Sequence, residues 1–492
     1  MSAKRLLGML RAIMSRRGGL GKVRVPDSGT AGSAAGRPDV GWFESSPAAE
    51  EDSMSTDSMG ADSMSAAQEA AGRYVVISAD THAGADLYDY KPYLPARLHD
   101  EFDAWARAYV SPFDDLIIAT AKRNWDHDFR LAEMDADGVA GEVLFPNTIP
   151  PFFPTSPNIT ISLPRTREEF ERRLAGVRAH NRWQVDFCSL LPGRRRGLIQ
   201  VFPNDVDLAL AEIRWGAEQG CFGGVLIPAV SAGDPLVAPL FHTRYEPLWA
   251  LCAELGLPFV HHSGTGSPEM PMDQPASNPV LITESFLWTQ RTLGHLILAG
   301  AFERHPGLCF VPTELGTAWV RQQAAILDAM VPSMKSSAGN RTYGVFGGSS
   351  VDELTLKPSQ YIKRNCYFGA SGLSPYESSA VDYLGVDHVL WGNDYPHEEG
   401  TAPDSKLAIR WALSSRPEDE CRKILGGNAA RLYGFDLDAL APVAERIGPS
   451  VQEVRTPLED TGYRSPAAFG YRPFEGGLAL KRLAPPGKLA RN

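Results

Sequence analysis

The sequence predicts an α/β protein, a parallel (β/α)8 barrel, on three observations. Eight short β-rich runs alternate with helix-length segments between residues 73 and 436. Several of these runs are nearly all apolar, as strands buried on both faces must be. No G-x-G-x-x-G follows the first run, which removes the usual reason to prefer a doubly wound open sheet.

The expected strands come in order. Tyr74 to Asp80 (YVVISAD) is the first, Glu142 to Pro146 (EVLFP) the second and Gly197 to Pro203 (GLIQVFP) the third. Gly224 to Pro228, Pro258 to Ser263, Leu308 to Glu314, Asn365 to Gly369 and His388 to Asp394 complete the set. Between them, Thr166 to Leu190 reads as a helix, with Thr166 and Glu169 at capping-box spacing. Val206 to Gln219 follows the cap Asp205 and stops at Gly220, and Arg244 to Leu255 stops at Gly256. Val280 to Phe302, Ala318 to Met330, Tyr376 to Leu384 and Ser405 to Leu413 are the remaining helices. Leu87 to Arg130 is too long for an ordinary connection and is expected to be an insertion or lid over the barrel mouth.

Both ends differ in composition from the barrel. Met1 to Val25 carries Lys4, Arg5, Arg11, Arg16, Arg17, Lys22 and Arg24 and no acid, and D-S-M recurs at Asp52, Asp57 and Asp62. Such sequence cannot bury enough apolar surface to offset chain entropy, so 1–71 is expected to be a disordered leader. Translation starting at Met54, Met59 or Met64 is one hypothesis, which a native peptide from the first twenty residues would end. The barrel is expected over 72–436. The segment 437–492, Pro- and Gly-rich with Tyr463, Phe469, Tyr471 and Phe474, is expected to be an extended tail on the surface or on a neighbouring subunit.

A net charge of -11 argues against a nucleic-acid partner. No apolar run is long enough for a bilayer, so no membrane partner is expected. The six cysteines are scattered without a C-x-x-C pair, which suits reduced thiols and a cytoplasmic enzyme.

In such a barrel the reactive groups stand at the carboxyl ends of the strands. The first strand runs into Asp80 and His82, two apart and so on one side. The fifth ends with His261 and His262, neighbours of which only one can point inward. The sixth ends with Glu314 and the eighth with Asp394. Singly, each is as well explained as a cap or a core residue. Two of these carboxylates with two imidazoles at one mouth suit one divalent metal ion; a set without thiolates accepts zinc, manganese or iron, and zinc is the first expectation.

ISADTHAG (77–84), LPFVHHSGTG (257–266), HLILAGAFERHPGLCFVPTELGTAWV (295–320), LWGNDYPHEEGT (390–401) and ILGGNAARLYGF (424–435) together resemble the amidohydrolase-related enzymes of the aminocarboxymuconate-semialdehyde decarboxylase type. The resemblance implies a single-metal barrel with Asp80, His82, His262 and Asp394 as ligands, and His261 at an apolar position. It implies Asp394 and Glu314 as catalytic groups. Glu314 stands at the family's sixth-strand catalytic histidine, where many relatives look similar in carrying an acid, and Asp80 stands in place of the first histidine of H-x-H. It also implies a small-molecule substrate and a homodimer.

Family members either hydrolyse a carbonyl compound with metal-activated water or release carbon dioxide from a carboxylate. The acids Asp80, Glu314 and Asp394 tilt the expectation toward hydrolysis of a neutral ester, lactone, amide or C–C bond. Decarboxylation of an aromatic or muconate-type carboxylate is the alternative, and a non-catalytic metal-holding barrel comes third. Arg123 and Arg182 are the candidate guanidinium contacts for a carboxylate. His397, Trp125, Trp288 and Trp391 are further candidates for the pocket wall.

Overall fold

A computed structural model describes residues 72–109, 121–147, 150–154, 162–336, 350–371, 373–397 and 399–458. Six strands run parallel in chain order: β1 (Ile77–Ala83), β2 (Gly141–Pro146), β3 (Arg195–Gln200), β4 (Phe222–Leu226), β5 (Phe259–His262) and β6 (Phe310–Thr313). A parallel pair follows, β7 (Phe368–Ser371) and β8 (Val389–Gly392). Single bridges close the circle, Phe310 with Cys366 and Thr81 with Tyr395. The last join is reinforced where Asp394 N donates to Asp80 O at 3.0 Å and His82 N to Tyr395 O at 2.6 Å.

Strand alternation sorts the side chains into two cores. Ile77, Ala79, Val143, Phe145, Leu198, Leu226, Val260, Val311 and Leu390 fill the lumen, and Tyr433 and Phe435 join them from beyond the last strand. Ile199, Val225, Phe259, Phe310, Phe368, Val389 and Trp391 face the other way, into the layer shared with the helices. Because both faces are covered, the strands read as apolar runs rather than as an alternation.

The helices that position the site are α1 (His99–Ala108), α2 (His127–Asp137), α3 (Arg167–Ser189), α4 (Val206–Glu218), α5 (Glu246–Leu255), α6 (Ser277–Leu298) and α7 (Ala318–Met334). Their ends follow the caps read from sequence. Thr166 accepts from Glu169 N at 3.0 Å, Asp205 accepts from Leu208 N at 3.1 Å, and Gly256 closes α5 at φ 65°. Among its described residues the insertion is short helical turns, α1 and the start of α2. Tyr90, Leu94, Leu98 and Phe102 pack there with Phe152, Trp183 and Phe187. Among the described residues it is tied to α3, with Tyr90 Oη 2.7 Å from His180 Nδ1 and Tyr93 Oη donating to Asp186 at 2.7 Å.

Past residue 436 the chain forms two more helices, α8 (Leu437–Ile447) and α9 (Val451–Arg455), where an extended tail was expected. Leu440, Ala444, Ile447 and Val454 are buried, and Tyr74 N donates to Pro449 O at 3.0 Å. Two signals mark these helices. Asp436 caps α8 by accepting from Asp438 N and Ala439 N, and Ser450 with Glu453 forms a capping box on α9. The leader 1–71 and residues 459–492, with Tyr463, Phe469, Tyr471 and Phe474, lie outside the described residues. Among the described residues no helix is long and apolar enough to cross a membrane.

Candidate metal centre and active site

The polar groups at the strand ends converge. β1 has a register irregularity between Ser78 and Thr81, and Asp80 and His82 come from this kinked end. Ser78 Oγ donates to Asp80 O at 2.8 Å and accepts from Asn393 N at 2.9 Å, which knits β1 to the end of β8. Glu314 follows β6 directly and Asp394 follows β8 after Asn393, and they take left-handed backbone angles, φ 57° and 56°. An aspartate adopts that region at modest cost, a glutamate less readily. Asp80, His82, Glu314 and Asp394 are all buried, and His262 is partly so.

Asp80 Oδ1 lies 3.4 Å from His82 Nε2 and 3.5 Å from His262 Nε2, and His82 Nε2 lies 3.1 Å from Asp394 Oδ1. Asp80 Oδ1, His82 Nε2 and His262 Nε2 are buried and make no hydrogen bond. Three buried polar atoms within 4.8 Å of one another, aimed together yet misaligned for hydrogen bonding, suit one shared cation. Ligands bound at about 2.1 Å stand roughly 3.0–3.5 Å apart, which matches these separations. The tautomers agree. His82 Nδ1 is 3.3 Å from Pro146 O, and His262 Nδ1 is 3.3 Å from Ser263 O and from Glu314, so each Nε2 is the nitrogen left for an ion.

Electrostatics point the same way. Burial pushes the His82 imidazole down, but Asp394 and Asp80 reverse this and hold it at about 9. Burial also lowers His262, and Glu314 and Asp80 raise it to about 9. Burial opposes ionisation of Asp80, yet His262 and His82 keep its carboxyl far below the usual range. The cluster therefore calls for positive charge where the unpaired atoms meet, which a divalent cation supplies. Glu314 behaves differently. Burial raises it, His262 pulls it down, and Asp394 and Asp80 raise it again, to about 7.

His261 faces outward as expected: it is fully buried, its Nε2 lies 2.8 Å from Thr292 Oγ1, and burial pushes its pKa down to about 3. Of the candidate substrate contacts, only His397 meets the cluster, with Nδ1 2.9 Å from Asp394 Oδ1 and its ring 4.1 Å from that of His82. Arg123 forks onto Glu133 at 2.9 and 3.0 Å. Arg182 is bound to Glu212 of α4 and stacks on Trp215 at 3.6 Å, in the helix layer, so the expectation that it grips substrate does not hold. Trp125 packs in the insertion cluster, Trp288 carries Arg291 5.4 Å above its ring, and Trp391 faces the helices.

Sequence reasoning missed the groups that steady the acids. Ser371 Oγ donates to Asp80 Oδ2, Ser263 Oγ donates to Glu314 Oε2, and Asn147 Oδ1 lies 3.3 Å from His397 Nε2. Phe145 lies against both imidazoles of the cluster, its ring 5.8 Å from His82 and 4.9 Å from His262. All sit at carboxyl ends of strands, a position searched only for ionisable residues. For Ser371, the expected strand also stopped two residues short.

Fold and site together define a metal-dependent barrel enzyme. The chain belongs to the amidohydrolase family, whose model, described as Amidohydrolase, matches residues 103–435. Among solved structures, 5-carboxyvanillate decarboxylase from Sphingomonas paucimobilis is 23% identical over 74% of this chain and 100% of that one, with a TM-score of 0.54. An amidohydrolase from Mycobacterium avium subsp. paratuberculosis K-10 is 20% identical over 74% and 99%, with a TM-score of 0.53. The 5-carboxyvanillate decarboxylase from Novosphingobium aromaticivorans, complexed with manganese and 4-hydroxy-3-methoxy-5-nitrobenzoic acid, is 22% identical over 73% and 96%, with a TM-score of 0.54. At these identities the likeness is one of fold. Comparison with curated proteins found no match.

Proposed function

We propose that this chain decarboxylates a small carboxylate without oxidation, using one divalent ion held by Asp80, His82, His262 and Asp394. The observation that carries the reading is Glu314, a buried carboxyl that accepts from Ser263 Oγ and lies 3.3 Å from His262 Nδ1, beside the proposed ligand set. Decarboxylation replaces a C–C bond with a C–H bond, so it needs an acid close to the carbon that loses carbon dioxide. Burial pushes the Glu314 carboxyl toward its protonated form, which suits that task. The two decarboxylases of like fold support the choice over hydrolysis. The Novosphingobium enzyme, complexed with manganese, shifts the metal from zinc toward manganese, which a donor set without thiolates accepts.

A bound divalent ion would supply the positive charge that grips the substrate carboxylate and a neighbouring oxygen. The residues do the rest. Ser263 and His262 hold Glu314 at one side of the site, and Glu314 gives its proton to the carbon as the C–C bond breaks. The electron pair of that bond takes the proton, carbon dioxide leaves, and Glu314 regains a proton from solvent. Asp394 stays ionised, since His397 and His82 outweigh the cost of its burial.

Hydrolysis is the second reading, favoured by charge. Asp80 and Asp394 already balance a divalent ion, and Arg123, Arg130, Arg182 and Arg195 are committed to Glu133, Glu142, Glu212 and Glu142. Asp394 would then be the base. Metal analysis, then aromatic carboxylates set against esters, lactones and amides, separates the two. Carbon dioxide released from a carboxylate is expected, and oxygen-18 from water in the product instead would favour hydrolysis. A homodimer and a cytoplasmic setting complete the proposal. Sedimentation tests the first, and cell fractionation the second.

A further inference from the structure

The lumen holds another polar group that the ion set does not use. Gln200 ends β3 and is 8% exposed. Its direction is fixed in two ways. Leu198 belongs to the lumen core, whereas Ile199 belongs to the outer core and closes on Gly216 of α4, so alternation turns Gln200 inward. Gln200 is also the registered partner of Leu226 on β4, itself a lumen residue. Asn181 clamps its backbone, accepting from Gln200 N at 3.1 Å and donating to Gln200 O at 3.0 Å. Its amide Nε2 is nonetheless buried and donates to nothing. Leaving such a donor unpaired costs about 1–3 kcal/mol, which an arriving acceptor offsets.

β3 lies between β2 and β4, and β2 carries the Phe145 ring that lies against His82 and His262. Gln200 thus stands on the β2–β5 side of the lumen, with Asp394 coming from the β8 side. We infer that Gln200 is a specificity-determining residue. Its amide donates to an uncharged acceptor oxygen on the part of the substrate remote from the carboxylate. A second carboxylate there would call for a cation, and the arginines of this side are turned elsewhere: Arg182 lies in the helix layer on Glu212, and Arg195 stands at the opposite end of β3 on Glu142. This inference rests on the carboxylate-substrate reading above.

Calorimetric binding of two probes to the manganese-loaded full chain tests it. One is 4-hydroxy-3-methoxy-5-nitrobenzoate, rich in ring acceptors; the other is benzoate. Gln200→Leu is expected to weaken the first about 3- to 10-fold and to change the second less than about twofold, with manganese content unchanged. Gln200→Glu keeps the side-chain length and removes the amide donor, so it is expected to weaken the first at least as much. It decides the matter where the leucine variant is thermally unstable. Equal loss for both probes, or no loss for either, overturns the role of Gln200 alone, as it would if a lumen water satisfies the amide. A wild-type protein that binds neither probe overturns the substrate reading and this inference with it.

Discussion

Glu314 and Asp394 share an unusual backbone: each leaves its strand with φ near 57°, which turns a carboxyl back over the barrel. Such strain persists only where the surroundings hold it, and here Ser263, His262, His397 and His82 do. Asp394→Asn is expected to abolish turnover, about 10²- to 10⁴-fold, with the circular dichroism spectrum unchanged. Full activity in a metal-free D394N protein would refute the ligand assignment. Glu314→Gln is expected to lower kcat by about 100-fold or more while metal content holds. A large loss of metal would instead make Glu314 a ligand. Ser371→Ala frees Asp80 Oδ2 from its donor and is expected to weaken metal binding about 10- to 100-fold, read by competition with a chromogenic chelator. Unchanged affinity would mean that Ser371 only fills space. That Asp80, His82, His262 and Asp394 gather at one mouth was legible in the sequence because ionisable residues at strand ends stand out. Ser371 and Ser263 were not, since a serine ending a strand is too common to read.

The strands and the capped helices were legible at the element scale because local rules made them. Apolar runs, Thr166 and Asp205 as caps and Gly256 as a stop each report on a few neighbouring residues. Charge pairing between elements is not local, and there the reading failed for Arg182, whose partner Glu212 lies on the next helix. The same holds for Glu142 of β2, buried between Arg130 of α2 and Arg195 of β3, at 2.6 and 2.9 Å. Burial raises the Glu142 carboxyl, but the two guanidinium groups lower it further, to about 2 from an ordinary 4.5. A depressed carboxyl gives stability that is complete above the unfolded value and is lost as pH falls through the folded one. The urea midpoint is therefore expected to drop between pH 4.5 and pH 2, by an amount on the order of 3 kcal/mol in unfolding free energy. A flat profile there would mean that the trio contributes nothing through this ionisation.

The proposed ligands Asp80, His82, His262 and Asp394 come from β1, β5 and the end of β8, so an ion held by them would bind only when the barrel is closed. The long-range order of the molecule and the ion site are then one equilibrium, which makes the metal a probe of the closure between β1 and β8. That closure uses little regular ladder, mainly the Thr81–Tyr395 bridge and the bonds Asp394 N to Asp80 O and His82 N to Tyr395 O. An ion that binds the folded chain alone stabilises it by about 2.7 kcal/mol at one hundred times its Kd. Stripping the protein with a chelator should lower its thermal midpoint, and manganese should restore it in proportion to the logarithm of free ion. Asp394→Asn should flatten that response. Hydrogen exchange should then show the loss of protection at the amides of His82 and Asp394, with the β3–β4 ladder least affected. If the ion stabilised the chain equally with and without the Asp394 carboxylate, the ligand set would not bridge the closing strands, and the site would have to be built from β1 and β5 alone.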